Sequence, residues 1–270
     1  MAKSKNASST TTARPRAAGR TDSRSRASEP RAADAKEHER PPFWSRETLN
    51  TVLVAGVIFL VIRIFLIEPY HIPSDSMEPT LLVGDFLFVN NLAYGPHIPF
   101  TSINLPGYRD PVRGEVAVYR SPDARDGNPT VVKRIVGIPG DTLYMRDGIL
   151  YVNGVAKPRP PGPTPAIGAD DASPDFEWQK RVALHGSRFG EPPAQPTHDN
   201  WGPFVVPPRH YFSLGDNRYD SKDARYYGFV PRENMRGHPL FIYYSYNVDS
   251  DRPLAMVTDP RWSRIGDAVR

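Results

Sequence analysis

The chain has 270 residues, 39% of them hydrophobic and 24% charged. That apolar content suffices for a buried core, and 30 prolines argue against an all-helical fold because interior proline breaks helices. The absence of cysteine excludes a disulfide framework, a thiolate-bound metal centre and a thiol nucleophile. The net charge of +4 is unevenly placed: residues 1–46 hold 11 Lys/Arg against 5 Asp/Glu, and the other 224 residues hold 23 against 25. The basic balance therefore belongs to an N-terminal arm, and the near-neutral body argues against nucleic acid as a partner.

In chain order, residues 1–42 are rich in Ala, Ser, Thr, Arg and Pro, with no Phe, Trp or Tyr. Such a segment cannot offset its ordering entropy by burial, so it is expected to be a disordered basic arm. From Val52 to Ile67 every residue except Arg63 is apolar. Taken from residue 48 to 70, the segment would make a helix of about 34 Å, enough for a hydrocarbon core of about 30 Å. Trp44 and Tyr70 suit the two interfaces, and Arg63 near one end can snorkel. The expectation is a transmembrane helix over 48–70. The basic flank sets the arm in the cytoplasm and everything beyond Tyr70 on the far face. No small-x-small site follows at Ile67–Tyr70, which argues against a cleavable signal peptide.

The remainder reads as mainly β. Strands are expected at Gly84–Asn90, Gly114–Tyr119, Thr130–Val136, His210–Leu214 and Leu240–Tyr246. Leu143–Met145 and Ile149–Val152 flank Asp147-Gly148, a strong hairpin signal. A β core is thus expected over 71–154 and 205–250, with a C-terminal tail at 251–270. Between 155 and 208 fall 12 of the 30 prolines, so 155–204 is expected to be a Pro-rich insertion.

Seven histidines, at 38, 71, 97, 185, 198, 210 and 238, form no tight ligand pair, so no metal is expected. Two prolines, Pro73 and Pro79, bracket Ser74 and Ser76 and stiffen the backbone around them. A serine on a rigid loop suits nucleophilic attack, although by itself the pattern is that of many Ser-Pro loops. A serine hydroxyl needs a base. In Thr130–Val136, alternation sets Val131, Lys133 and Ile135 on one face. Lys133 reads either as an exposed edge residue or as a buried amine whose proton affinity falls on desolvation, fit to accept a serine proton. A third segment, Leu214–Val230, is a dense polar turn in which Ser221, Asp223 and Arg225 could build a hydrogen-bonded network.

Together these segments resemble the bacterial type I signal peptidases, or leader peptidases. The resemblance runs through the apolar helix, Ile72–Leu82, Gly84–Gly95, Asp110–Tyr119, Val131–Thr142 and Tyr211–Pro231. It implies a signal-peptidase-like β catalytic domain behind one transmembrane helix. In the Pro-Ser-x-Ser-Met motif it makes Ser76 the nucleophile. Ser74 and the Ser76 backbone N–H form the oxyanion hole. It makes Lys133, of the Lys133-Arg134 pair before Gly137-Ile138-Pro139-Gly140-Asp141, the general base, with Arg134 in support. In the Gly-Asp-Asn-Arg region it makes Ser221 the residue that orients the lysine, supported by Asp223 and Arg225. One departure is Asp75, where the family favours glycine; its side chain is expected to face solvent.

The resemblance further implies signal-peptide-bearing preproteins as substrates, cut after small residues, with the lipid bilayer and the export machinery as neighbours and no cofactor. Pocket walls are expected from Tyr70, Ile72, Pro73, Met77, Val131 and Val132, by their nearness to Ser76 and Lys133. Ser76 lies 9 residues past Ile67, at most about 30 Å of extended chain, so the site stays close to the bilayer. The expected place is the bacterial inner membrane, single-pass, with the catalytic domain outside the cytoplasm. A self-cleaving repressor would need a soluble DNA-binding domain where the apolar segment stands. A catalytically inactive, membrane-anchored binding protein of the same fold is the rival from another class.

Overall fold

The apolar run after Ser45 folds into one helix, α1 (Arg46–Val61). Glu47 in its first turn complements the helix dipole, and Thr51 Oγ1 donates to Glu47 O at 2.9 Å. The structure, a computed structural model, describes residues 45–62, 67–98, 101, 104–158 and 170–270. The chain divides into two units, Met1–Ser45 and Arg46–Arg270, and the second holds every element described below. The expected arm at 1–42, Trp44 and Arg63 lie outside the described residues.

The helix expected over 48–70 is corrected at its far end. Ile67–His71 is a strand, β1, and among the described residues no helix is long and apolar enough to cross a membrane. The 16 residues of α1 span about 24 Å. Pro69 explains the change of state: it has no N–H for a helix ladder but is tolerated on a sheet edge. β1 is such an edge, paired antiparallel with β2 (Asp85–Asn90) so that Tyr70 faces Leu87.

Two antiparallel sheets follow. The remaining strands are β3 (Val116–Arg120), β4 (Thr130–Gly137), β5 (Thr142–Arg146), β6 (Ile149–Val152), β7 (Val155–Ala156), β8 (Trp201–Val205), β9 (His210–Leu214), β10 (Val230–Pro231) and β11 (Met235–Ser245). Short helices α2 (Trp178–Val182), α3 (Ala224–Tyr227) and α4 (Ala255–Thr258) lie between or after them. The seven-stranded sheet has the order β1-β2-β11-β3-β4-β9-β10, and the four-stranded sheet β7-β6-β5-β8. The expected β2, β3, β4, β9 and the β5–β6 hairpin form within two residues of their sequence bounds, and β11 starts earlier, at Met235. At the hairpin, Asp147 (φ 50°) and Gly148 (φ 74°) take the left-handed conformation a two-residue turn needs.

β1, β7, β8 and β10 carry no clear sequence signal. β8 lies in the Pro-rich segment and carries Pro203, which an edge strand accommodates. That segment also buries Phe176, Gln179, His198, Trp201 and Phe204. The C-terminal residues run along β11: Val269 N donates to Leu240 O at 3.1 Å, Ile242 N to Asp267 O at 2.9 Å, and Val269 is buried.

Three apolar clusters carry the packing. Ile72, Met77, Leu81, Leu87, Val116, Val132 and Ile242 lie beneath the turn after β1. Tyr94, Tyr119, Ile135, Tyr211 and Met235 form a second, and Leu143, Met145, Trp201, Phe204 and Phe212 join the two sheets in the third. Strand β4, between β3 and β9, is central to this arrangement.

Candidate active site

The register of β4 explains the burial of Lys133. Lys133 stands opposite Ala117 of β3, and its neighbour Arg134 stands opposite both Val116 of β3 and Leu214 of β9. A lysine stem on such a strand packs among apolar neighbours, and Lys133 is 4% exposed. Ser76 sits in the tight turn after β1 and is 8% exposed. Lys133 Nζ and Ser76 Oγ are hydrogen-bonded at 2.5 Å. Ser74, which is exposed, has its Oγ 3.3 Å from Ser76 Oγ.

The turn is fixed from below and from the side. Met77 and Leu81 are buried anchors, and Leu81 N donates to Met77 O at 3.0 Å. Asn217 N donates to Ser76 O at 3.1 Å, and Asn217 Nδ2 to Asp75 O at 3.3 Å. Thr80 Oγ1 donates to Asp216 Oδ2 at 2.6 Å, and Asp216 receives Arg134 through Nε at 2.7 Å and Nη2 at 2.5 Å. Arg134 thereby ties the lysine strand to the serine turn through a bidentate carboxylate pair.

Asp223 and Arg225 form a fully buried pair at 2.8 Å, each with 0% side-chain exposure. Burial works to raise the Asp223 carboxyl, but the Arg225 guanidinium and the Gly215 N–H outweigh it and hold it below the usual range. Asp223 Oδ2 accepts from Gly215 N at 3.0 Å. Gly215 is the point of closest approach: a Cβ there would lie 2.2 Å from Ser221 Oγ and 2.5 Å from Ser76 O. Ser221 therefore lies against the serine turn. No hydrogen bond joins it to Lys133, however; its Oγ is buried without a hydrogen-bond partner, while the amine turns to Ser76.

Burial brings the Lys133 amine down to about 8 from 10.5; Asp223, Asp216 and Asp75 favour its charged form and Arg225 opposes it. Asp75 departs from the expected solvent-facing position. It is half-buried, and its charge pushes the nearby Asp220 carboxyl up.

The six expected pocket residues divide. Tyr70, Ile72, Met77 and Val132 belong to one apolar cluster under the serine turn. Val131 packs on the other cluster, with Ile135, because adjacent strand residues face opposite ways. Pro73 is exposed and lines a cleft of about 460 Å³ together with Ser74, Asp75 and Glu78. The sequence reading missed Asn217, Thr80 and Asp216, which lie inside the quoted motifs. It also missed a buried hydroxyl chain in which Tyr119 OH lies 2.5 Å from Ser213 Oγ and 2.7 Å from Tyr227 OH. Tyr119 and Ser213 sit on the expected strands β3 and β9, yet nothing in the pattern marks them as partners. Among the described residues no group of side chains has the composition of a metal site. A buried hydroxyl against an amine of lowered proton affinity is the arrangement of an activated nucleophile and its base.

Comparison with known proteins gives the family. A family model described as signal peptidase, peptidase S26, matches residues 45–244. A signal peptidase I of Pseudomonas fluorescens is 36% identical over 228 residues, covering 77% of this chain and 74% of that protein. One from Pseudomonas aeruginosa is 36% identical over 225 residues with the same coverage. A probable signal peptidase I-2 of Synechocystis sp. is 33% identical over 214 residues and covers 78% of each chain. A crystal structure of a signal peptidase I from Enterococcus faecalis V583 is 30% identical, covering 48% of this chain and 96% of that one at a TM-score of 0.30. With the family model spanning well over half its length, the chain belongs to the signal peptidase family, peptidase S26, and is a serine peptidase.

Proposed function

We propose that this enzyme removes N-terminal signal peptides from exported preproteins, with Ser76 as nucleophile and Lys133 as general base. The observation that carries the reading is the 2.5 Å contact between two buried groups, one of them an amine that burial brings down to about 8. Ser76 Oγ attacks the scissile carbonyl carbon while neutral Lys133 Nζ takes its proton. The oxyanion receives the Ser76 backbone N–H and the Ser74 hydroxyl; each such donor is worth about 10²–10³ in rate. On collapse the C–N bond breaks, and the lysine proton passes to the leaving amine. Water then attacks the ester, gives its proton to Lys133, and that proton returns to Ser76 Oγ as the acid leaves.

Ser221 Oγ, buried beside the serine turn, takes the role of acceptor for the ammonium formed during each step. Arg134 holds the strand and the turn in register, and the Asp223–Arg225 pair holds the Gly215 backbone. Tyr70, Ile72, Pro73, Met77, Val131 and Val132 wall a shallow pocket that admits small side chains. No cofactor enters this scheme.

Helix α1 serves as the membrane anchor. Leu49, Val52, Leu53, Val54, Val57, Ile58, Phe59 and Leu60 are all exposed on it, and a helix apolar on every side suits lipid. The basic arm then stays in the cytoplasm and the catalytic domain faces outward, beside the export machinery. Cleavage of a preprotein with an Ala-x-Ala site, in detergent, tests the chemistry. Wild type cuts after the second alanine, and Ser76→Ala and Lys133→Ala each lose at least about 10³-fold in kcat. Near-normal cleavage by Lys133→Ala would remove the lysine from its role.

A further inference from the structure

We propose that His198, supplied by the Pro-rich segment, is a positioning residue for the Lys133 amine, acting through Arg225 and Asp223; this rests on the Ser76–Lys133 reading above. His198 is 6% exposed, and its backbone N donates to Asp171 O at 3.0 Å. Its ring stacks on Tyr219, with centroids 4.8 Å apart at 26°. The hydrogen bonds fix its proton. Nδ1 lies 3.1 Å from Asp199 Oδ1, and an ionised carboxylate only accepts, so Nδ1 carries the hydrogen. Arg225 Nη1, which only donates, lies against the imidazole, in contact with Nε2 and 3.3 Å from Nδ1.

The groups around the imidazole hold it in that form. Arg225 and Asp223 face it from α3 and its cap, and Asp199 and Tyr219 flank it, with Tyr219 OH donating to Asp199 Oδ2 at 2.7 Å. Asp170 accepts from Asp199 N at 2.8 Å. Burial, together with the Arg225 charge, keeps His198 below the ordinary histidine range despite these carboxylates, so it is neutral where the enzyme works.

Arg225 is fully buried and uses its whole fork. Nε and Nη2 reach Asp223 at 2.9 and 2.8 Å, Nη2 also reaches Arg218 O at 2.6 Å, and Nη1 reaches His198. Without the imidazole, a buried N–H on a charged group would lack its acceptor, and the guanidinium would tilt to find another. Tilting loosens its grip on Asp223. Asp223 favours the Lys133 ammonium and Arg225 disfavours it, so the balance at Lys133 depends on how closely the two are paired. A loosened pair leaves more uncompensated negative charge near Lys133, and less of the lysine is neutral.

The test uses the full chain in detergent and an Ala-x-Ala preprotein, with kcat and KM followed from about pH 6 to 10 and thermal unfolding read alongside. In His198→Phe the rising limb of kcat/KM moves up by about half a unit, which lowers the neutral fraction and kcat at pH 7 about threefold, with KM unchanged. His198→Gln, whose amide oxygen can face Nη1, returns the limb to its wild-type position. His198→Asn keeps the Asp199 side but falls short of Arg225, so it behaves like His198→Phe and serves if that variant does not fold. An unmoved limb in His198→Phe or His198→Asn, whatever the change in melting temperature, overturns the proposal alone, as does a shift that His198→Gln fails to reverse. An inactive wild type, or an active Ser76→Ala, overturns the Ser76–Lys133 reading and the proposal with it.

Discussion

Burying the Lys133 ammonium costs stability, because the charged form loses its hydration. Folding lowers the Lys133 amine from 10.5 to about 8, so between those values the unfolded chain binds a proton that the folded chain does not. Stability therefore rises with pH across that window, and the penalty is full below pH 8. Replacing Lys133 by methionine removes the penalty. Chemical denaturation is expected to find Lys133→Met more stable than wild type by about 2 kcal/mol at pH 7, with no gain near pH 10. Equal stability at pH 7 would mean that Lys133 is not a strained ammonium. At this scale the candidates Ser76, Lys133, Arg134, Asp223 and Arg225 could be picked out because each sits in a compact motif that resembles the family's and the motifs keep a fixed order. His198 could not: it is one histidine among prolines, and its partner Arg225 lies 27 residues further on. The expectation that Asp75 faces solvent missed its half-burial, because whether a loop carboxylate faces water depends on Asp220, which only the fold brings near.

Among the elements, the central strands could be read from sequence and the edges could not. β2, β3, β4 and β9 are bordered on both sides, so apolar side chains dominate them and their periodicity is clear. β1 and β8 are edges, each with a proline in it, and proline is the signal that demotes a strand in sequence. β8 nevertheless carries much of the packing between the sheets. Trp201 is fully buried and stacks on Phe204 with centroids 5.3 Å apart at 14°. Trp201→Ala is expected to destabilise by about 3–5 kcal/mol in denaturant titration. A loss below about 1 kcal/mol would make the Pro-rich segment a dispensable loop rather than part of the core.

For the molecule as a whole, charge and hydropathy are partitioned along the chain. The basic arm, the apolar helix and a near-neutral β body follow one another in that order. The length of the helix was overread because composition alone does not show where an apolar run changes from helix to strand; Pro69 and pairing with β2 decide it. The proposed membrane attachment through α1 makes a direct prediction. Val57→Lys with Phe59→Lys places two charges on an apolar helix, each costing about 2.5–3.5 kcal/mol at a bilayer centre, and is expected to shift the protein from sedimenting vesicles to the supernatant. Retention on the vesicles would move the attachment to another part of the chain.

The central claim is that a lysine whose proton affinity burial lowers activates Ser76. The measurement that tests it most directly is the pH dependence of kcat/KM for preprotein cleavage by the wild-type enzyme in detergent. A single rising limb centred near 8 is the expected result, following the lysine that burial brings to about that value. A limb centred near 6.5, the ordinary histidine value, would contradict the account and transfer the role of base to an imidazole.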